Sequence, residues 1–113
     1  MRAEKIKGHL DGLLLAVLAS TGPLHGYSII EELSSRSGGN FRLPEGTIYP
    51  ALHRLEREGL LTSRWSQAAA RRRRVYELTS RGRRALGRER QAWSAFAGAA
   101  ESIWRGAGCP PTA

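Results

Sequence analysis

The sequence predicts a mainly α-helical chain that carries one small β-hairpin and ends in a long helix. Three observations carry that expectation: apolar residues recur at helical spacing in three short stretches before Gly59, the period becomes that of strands between Leu61 and Leu78, and helical spacing returns from Leu86 to Trp104. The 113 residues are one small domain's worth of chain, and a composition 41% apolar and 25% charged is that of an ordinary globular protein.

The first helix is expected from about Lys7 to Ser20, where Ile6, Leu10, Leu13, Leu14, Val17 and Leu18 line one face. Thr21-Gly22-Pro23 ends it, because proline cannot continue a helix. Arg2, Lys5 and Lys7 ahead of the apolar run Leu13 to Ala19 mimic a secretory signal, but Asp11 interrupts the flank and the helical spacing favours an amphipathic helix. No run of about 18 apolar residues occurs, so no membrane span is expected.

A second helix begins near His25 or Gly26, with apolar Tyr27, Ile30 and Leu33, and ends at Ser37-Gly38-Gly39-Asn40. Phe41 to Pro44 is a short extended link. Ile48, Leu52 and Leu55 at i, i+4 and i+7 give a third helix, which Gly59 closes. Pro50 is tolerated there if the helix starts around Glu45 to Thr47, since first-turn N–H groups have no intrahelical acceptor.

Leu61 to Ser66 and Arg73 to Leu78 then read as the two strands of a hairpin around a polar connection, residues 67–72. Thr79 is a good N-cap for a last helix over Ser80 to Arg105, where Leu86, Trp93, Phe96, Ala97, Ala100, Ile103 and Trp104 form an apolar stripe. Three helices, a hairpin and a long fourth helix are the layout of a winged helix-turn-helix with a helical extension. The expected division is a winged helix-turn-helix DNA-binding domain over 1–79, a dimerisation helix over 80–106 and a flexible tail over 107–113.

Charge is the informative excess. Residues 1–60 hold seven residues of each sign, whereas residues 61–113 hold eleven arginines against Glu77, Glu89 and Glu101, which is the whole net +8. Such asymmetry points to a polyanion, nucleic acid before membrane. An enzyme has little to work with: His9, His25 and His53 stand apart, there is no glycine-rich phosphate cradle, and the single Cys109 lies near the glycine- and proline-rich end. No catalytic residue, cofactor or metal ligand set is expected. One cysteine also excludes an intramolecular disulfide framework and fits a reducing cytoplasm.

In a helix-turn-helix the second helix of the motif, here the third of the chain, lies in the major groove. With Ile48, Leu52 and Leu55 turned inward, its other face offers Thr47, Tyr49, Pro50, His53, Arg54 and Arg57 to DNA. The Thr47 and Tyr49 hydroxyls suit phosphate or base edges, and His53 and Arg54 are the candidate base readers, although Arg54 equally suits the backbone. A merely solvated helix face is the alternative. Of Arg71, Arg72, Arg73 and Arg74, strand alternation lets two or three lie along the flanking groove and neutralise phosphates, the alternative being a solvated charge run that only aids solubility. Trp65, Tyr76 and Leu78 read as packing residues, and His25 and Tyr27 as makers of a local hydrogen bond or core contact.

Three segments then resemble the PadR family of bacterial transcription regulators: Pro23-Leu24-His25-Gly26-Tyr27, the run from Gly46 to Glu56 (Gly-Thr-Ile-Tyr-Pro-Ala-Leu-His-Arg-Leu-Glu), and Arg73 to Tyr76 leading into Leu78-Thr79-Ser80-Arg81-Gly82. They occur in the family's order and spacing. The resemblance is to the short subgroup whose extension is a single helix, and it implies a homodimer binding double-stranded operator DNA. In it the last helix pairs with the first and last helices of a second chain, setting two recognition helices about 34–36 Å apart. Leu10, Leu14 and Leu18 would then face Leu86, Trp93, Phe96, Ala100, Ile103 and Trp104 across the seam. The resemblance also implies repression, family members commonly blocking their own or neighbouring promoters. In the LmrR-like branch a tryptophan at the point of Trp93 sandwiches flat aromatic effectors between the two chains; plain interface packing is the other reading of Trp93. Pro44 departs from the family pattern, standing where many relatives have a capping Ser or Thr. A winged-helix module that binds RNA or another protein is the alternative function, and it would lack the dimer's preference for an inverted-repeat duplex.

Overall fold

The computed structural model describes residues 6, 8–66 and 72–108. In chain order these form α1 (Leu10–Thr21), β1 (Leu24–His25), α2 (Gly26–Arg36), α3 (Glu45–Arg57), β2 (Leu61–Ser66), β3 (Arg73–Leu78) and α4 (Ser80–Ala107). Both hairpin strands have the limits expected from their alternation. α1 starts three residues later than expected, and α4 runs on to Ala107.

The core lies where the first three helices and the sheet turn their apolar faces together. Leu14, Leu15 and Leu18 of α1, Ile29 of α2, Ile48, Leu52 and Leu55 of α3, Leu61 of β2 and Tyr76 of β3 are all fully buried. The three-point stripe of α3 is therefore its inward face. Leu14 and Leu18 correct an expectation: they were candidates for a seam with a second chain, yet they are 0% and 1% exposed within this one. Leucine, valine and alanine cover most of the surface of α1, so spacing alone does not tell which side its own head domain takes. Leu10 and Leu86 are half-buried against the same core.

The inward face of α2 is Gly26, Ile29 and Leu33 rather than Tyr27, Ile30 and Leu33. Gly26 belongs there because the Tyr49 ring lies against it, and a Cβ at that position would collide with the ring. This rotates Tyr27 outward, to 59% exposure. In α3 the Pro44 carbonyl accepts hydrogen bonds from the N–H groups of Thr47 (2.9 Å) and Ile48 (3.1 Å), so the helix starts without a side-chain cap. Pro50 consequently sits in the second turn, not the first. It lacks the N–H that would reach the Gly46 carbonyl, and both residues are exposed, so water can satisfy that oxygen.

The hairpin is joined by β1 into an antiparallel sheet of order β1-β3-β2, with Leu24 opposite Tyr76 and His25 opposite Val75. Two residues are too few to show a period, which is why β1 is invisible in the sequence. The pairings Leu61 with Leu78, Ser63 with Tyr76 and Trp65 with Arg74 put those six side chains on one face; Thr62, Arg64 and Ser66 share the other with Glu77, Val75 and Arg73.

Thr79 caps α4 as expected, its hydroxyl oxygen accepting from the Gly82 N–H at 3.0 Å. The Leu60 carbonyl oxygen presses so closely on Gly82 that no Cβ could fit there. With Gly82 and Ala85 buried, the first turns of α4 belong to the head. α1 runs beside them, Gly12 facing the Glu89 side chain and His9 meeting Trp93 edge-on at 5.4 Å between ring centroids. Past that point the apolar stripe of α4 faces outward.

Candidate nucleic-acid interface

With its leucine stripe buried, α3 presents Gly46, Pro50, His53 and Arg57 as an exposed row, and Thr47 and Tyr49 half-buried beside it. The spacing i, i+4, i+7, i+11 makes this one face of the helix. Tyr49 is held between Gly26 and His53, the two rings 6.5 Å apart. Burial, and then the nearby charge of Glu45, push its hydroxyl above the usual phenol range, so it is a protonated donor at neutral pH. The amino end of a helix also favours a phosphate.

Arg54 is placed differently from its neighbours. Its Nη2 and Nη1 donate to the two carboxylate oxygens of Asp11 at 2.6 and 2.9 Å, and Glu58 lies 3.5 Å from Nη1. The hydrogen bonds to Asp11 raise its pKa further above an already high value. This fork ties α3 to α1 through Arg54, whose side chain is still 42% exposed. Asp11 has no periodic signal that pairs it with a residue on another helix, so the sequence did not reveal the link.

The wing splits its arginines as alternation requires. Arg73 is exposed and shares the outer sheet face with Arg64, a residue the motif reading passed over although its place one before Trp65 fixes its face. Arg74 is taken up within the chain: its Nε donates to the Ser63 hydroxyl at 2.8 Å and its Nη2 is 3.7 Å from Glu56 of α3, to which Ser63 also donates at 2.6 Å. Arg74 is thus anchored within the chain, with its side chain 40% exposed. The Arg72 and Arg74 guanidinium carbons lie over the Trp65 ring, 5.0 and 5.2 Å from its centroid. Trp65 is itself 48% exposed, unlike buried Tyr76 and Leu78. Arg71 lies outside the described residues.

Tyr27 stands exposed at the start of α2 rather than in the core, and the buried Nδ1 of His25 finds no hydrogen-bond partner among the described residues. Along α4, Phe96, Ile103 and Trp104 are more than three-fifths exposed, Trp93 is 54% exposed and stacks obliquely on Phe96 at 6.1 Å, and Ala100 is half-buried. No helix among the described residues is long and apolar enough to cross a membrane.

An outward polar helix beside a basic wing is the arrangement of a winged-helix nucleic-acid reader. The Transcriptional regulator PadR-like family matches residues 14–88, from α1 through the first turns of α4. The chain belongs to the PadR family. Among its relatives, transcriptional regulator Rv3488 of Mycobacterium tuberculosis is 46% identical over 74 residues, which make up 66% of either chain, just under two thirds. A PadR family transcriptional regulator from Eggerthella lenta superposes with a TM-score of 0.78 at 28% identity, covering 89% of this chain and 86% of that one. Another, from Clostridium difficile, gives 0.74 at 31% identity over 85% of this chain and 98% of that one. A transcriptional regulator from Clostridium thermocellum shares the fold, with a TM-score of 0.81 at 24% identity over 88% and 97% of the two chains. This PadR protein is therefore a transcriptional regulator with a winged-helix head and a C-terminal helix, and DNA binding is what its family implies. The family match stops at Arg88, short of the exposed stripe from Trp93 to Trp104.

Proposed function

We propose that this PadR regulator reads operator DNA as a two-fold homodimer and represses transcription from the promoter it occupies. The observation that carries the reading is the exposed row Gly46, Pro50, His53 and Arg57, with Thr47 and Tyr49 at its edge, set beside a wing that offers Arg72 and Arg73. His53 reads base edges, the Thr47 and Tyr49 hydroxyls and Arg57 fix the helix on the backbone, and the wing arginines neutralise flanking phosphates. The chain through the first turns of α4 forms the reading head, and the rest of α4 joins two heads.

The outward stripe of α4 supports the dimer. Trp93, Phe96, Ile103 and Trp104 cover more apolar surface than a lone soluble chain leaves in water without cost. A second copy laid against it across a two-fold axis buries the same residues twice, with Leu10 and Leu86 at the margin. Trp93 and its mate then flank a gap suited to a flat aromatic effector. Such an effector would change the angle between the heads, so that its affinity and that of DNA oppose each other reciprocally.

Fluorescence anisotropy tests the reading. The protein is titrated onto a duplex from the region upstream of its own gene and onto a shuffled duplex, at low and at physiological salt. Selective binding that survives the higher salt and saturates at two chains per site is expected. Equal, weak and steeply salt-dependent binding to both duplexes would contradict it.

A further inference from the structure

We infer that Trp65 is the positioning residue of the wing: its indole holds Arg72 beside the anchored Arg74, so that Arg72 meets a DNA phosphate already in place. The inference rests on the DNA-reading function proposed above and adds to it a residue that touches no base.

Two guanidinium groups close to one another repel, and a long arginine at a hairpin tip has many rotamers to lose on binding. Trp65 counters both effects. The negative face of an aromatic ring attracts a cation whose centre is within about 6 Å of the centroid, and Arg72 and Arg74 lie at 5.0 and 5.2 Å. The two are not equivalent, however. Arg74 is bonded to Ser63 and leans on Glu56, so part of its charge is answered within the chain. Arg72 is exposed, and among the described residues no carboxylate pairs with it. It is the arginine of this cluster with charge to spare for a phosphate.

The same cluster reaches the recognition helix. Glu56 of α3 accepts from Ser63 at 2.6 Å, Ser63 accepts from Arg74 at 2.8 Å, and Arg74 covers Trp65. The position of Arg72 is thus set relative to α3, and helix and wing approach the duplex as one body. An indole left 48% exposed on the continuation of the core face is explained by this task, whereas packing would have buried it.

Phosphate contacts are independent of sequence, so a labelled random-sequence duplex three helical turns long is a sufficient probe. Its affinity for the wild-type protein and for Trp65→Ala, Trp65→Phe, Arg72→Ala and the Trp65→Ala/Arg72→Ala double variant is measured across a salt series, with a thermal melt of each. Loss of one phosphate contact flattens the slope of log affinity against log salt by about 0.9. Trp65→Ala is expected to flatten it as Arg72→Ala does, the double variant to add nothing, and Trp65→Phe to restore most of the slope because a π face remains. All should melt close to the wild type. A wild-type slope in Trp65→Ala, or a Phe variant as weak as the Ala one, would overturn the inference while leaving the DNA reading intact. Absence of duplex binding by the wild-type protein would overturn both.

Discussion

The Arg54 guanidinium on α3 grips the Asp11 carboxylate on α1 through two hydrogen bonds, of 2.6 and 2.9 Å. The pair joins α3 to α1, which also lies against α4: Gly12 faces Glu89, and His9 at the start of α1 touches Trp93. Both side chains are more than a third exposed, so solvent screens the attraction and its worth to stability is about 0.2–1 kcal/mol. Its larger effect is expected on the orientation of α3.

Asp11→Ala is accordingly expected to lower the melting temperature by only a few degrees, yet to reduce discrimination between operator and shuffled duplex. Arg54→Ala should weaken specific binding similarly. Anisotropy on both duplexes checks this; unchanged discrimination in both variants would remove the pair from the reading of DNA.

Neighbouring residues of α3 should separate stability from binding. Leu52 is 0% exposed, and Leu52→Ala is expected to cost about 2–5 kcal/mol in a denaturant titration. His53→Ala, one residue on but facing solvent, should leave the unfolding midpoint nearly unchanged and impair operator binding.

The winged-helix plan was legible because the period of α3 matched its buried face and the hairpin strands had readable limits, although Val75 is buried on the outer face and Trp65 is exposed on the core face of the sheet. What escaped was set by contacts between elements. α1 has apolar residues on most sides, so Leu14 and Leu18 fitted a seam as well as a core. Tyr27 fitted an inward stripe until the close approach of Tyr49 to Gly26 fixed the rotation of α2. Arg54 and Arg74 carried the right charge for DNA, but whether a carboxylate on another element claims that charge depends on the tertiary fold. Alternation did foretell that the wing arginines would divide between two faces.

Replacing Ile103 and Trp104 by Asp is expected to yield a folded monomer. Both are more than two thirds exposed and lie beyond the turns of α4 that pack on the head. Light scattering should report half the wild-type mass with unchanged helix content, and an unaltered mass would place the joining surface elsewhere.

Alkaline pH should lower the stability of the fold through Tyr76 and Tyr49. Burial, and then the charge of Glu56, raise the Tyr76 hydroxyl above the ordinary phenol value of 10.0, and Tyr49 is raised as well. The folded state then holds these protons more tightly than the unfolded one. Their contribution is fully present below pH 10.0 and is lost as the pH rises through the folded-state values. Thermal melts over an alkaline series are expected to show this decline, and Tyr76→Phe should reduce it.

Hydroxyl-radical footprinting of the duplex upstream of the gene joins the reading of DNA to the symmetry of the reader. Two protected patches related by a two-fold axis, with centres about 34–36 Å apart along the duplex, are expected. A single patch without a symmetric mate, or uniform protection along the duplex, would contradict a homodimer that reads its operator with two α3 helices.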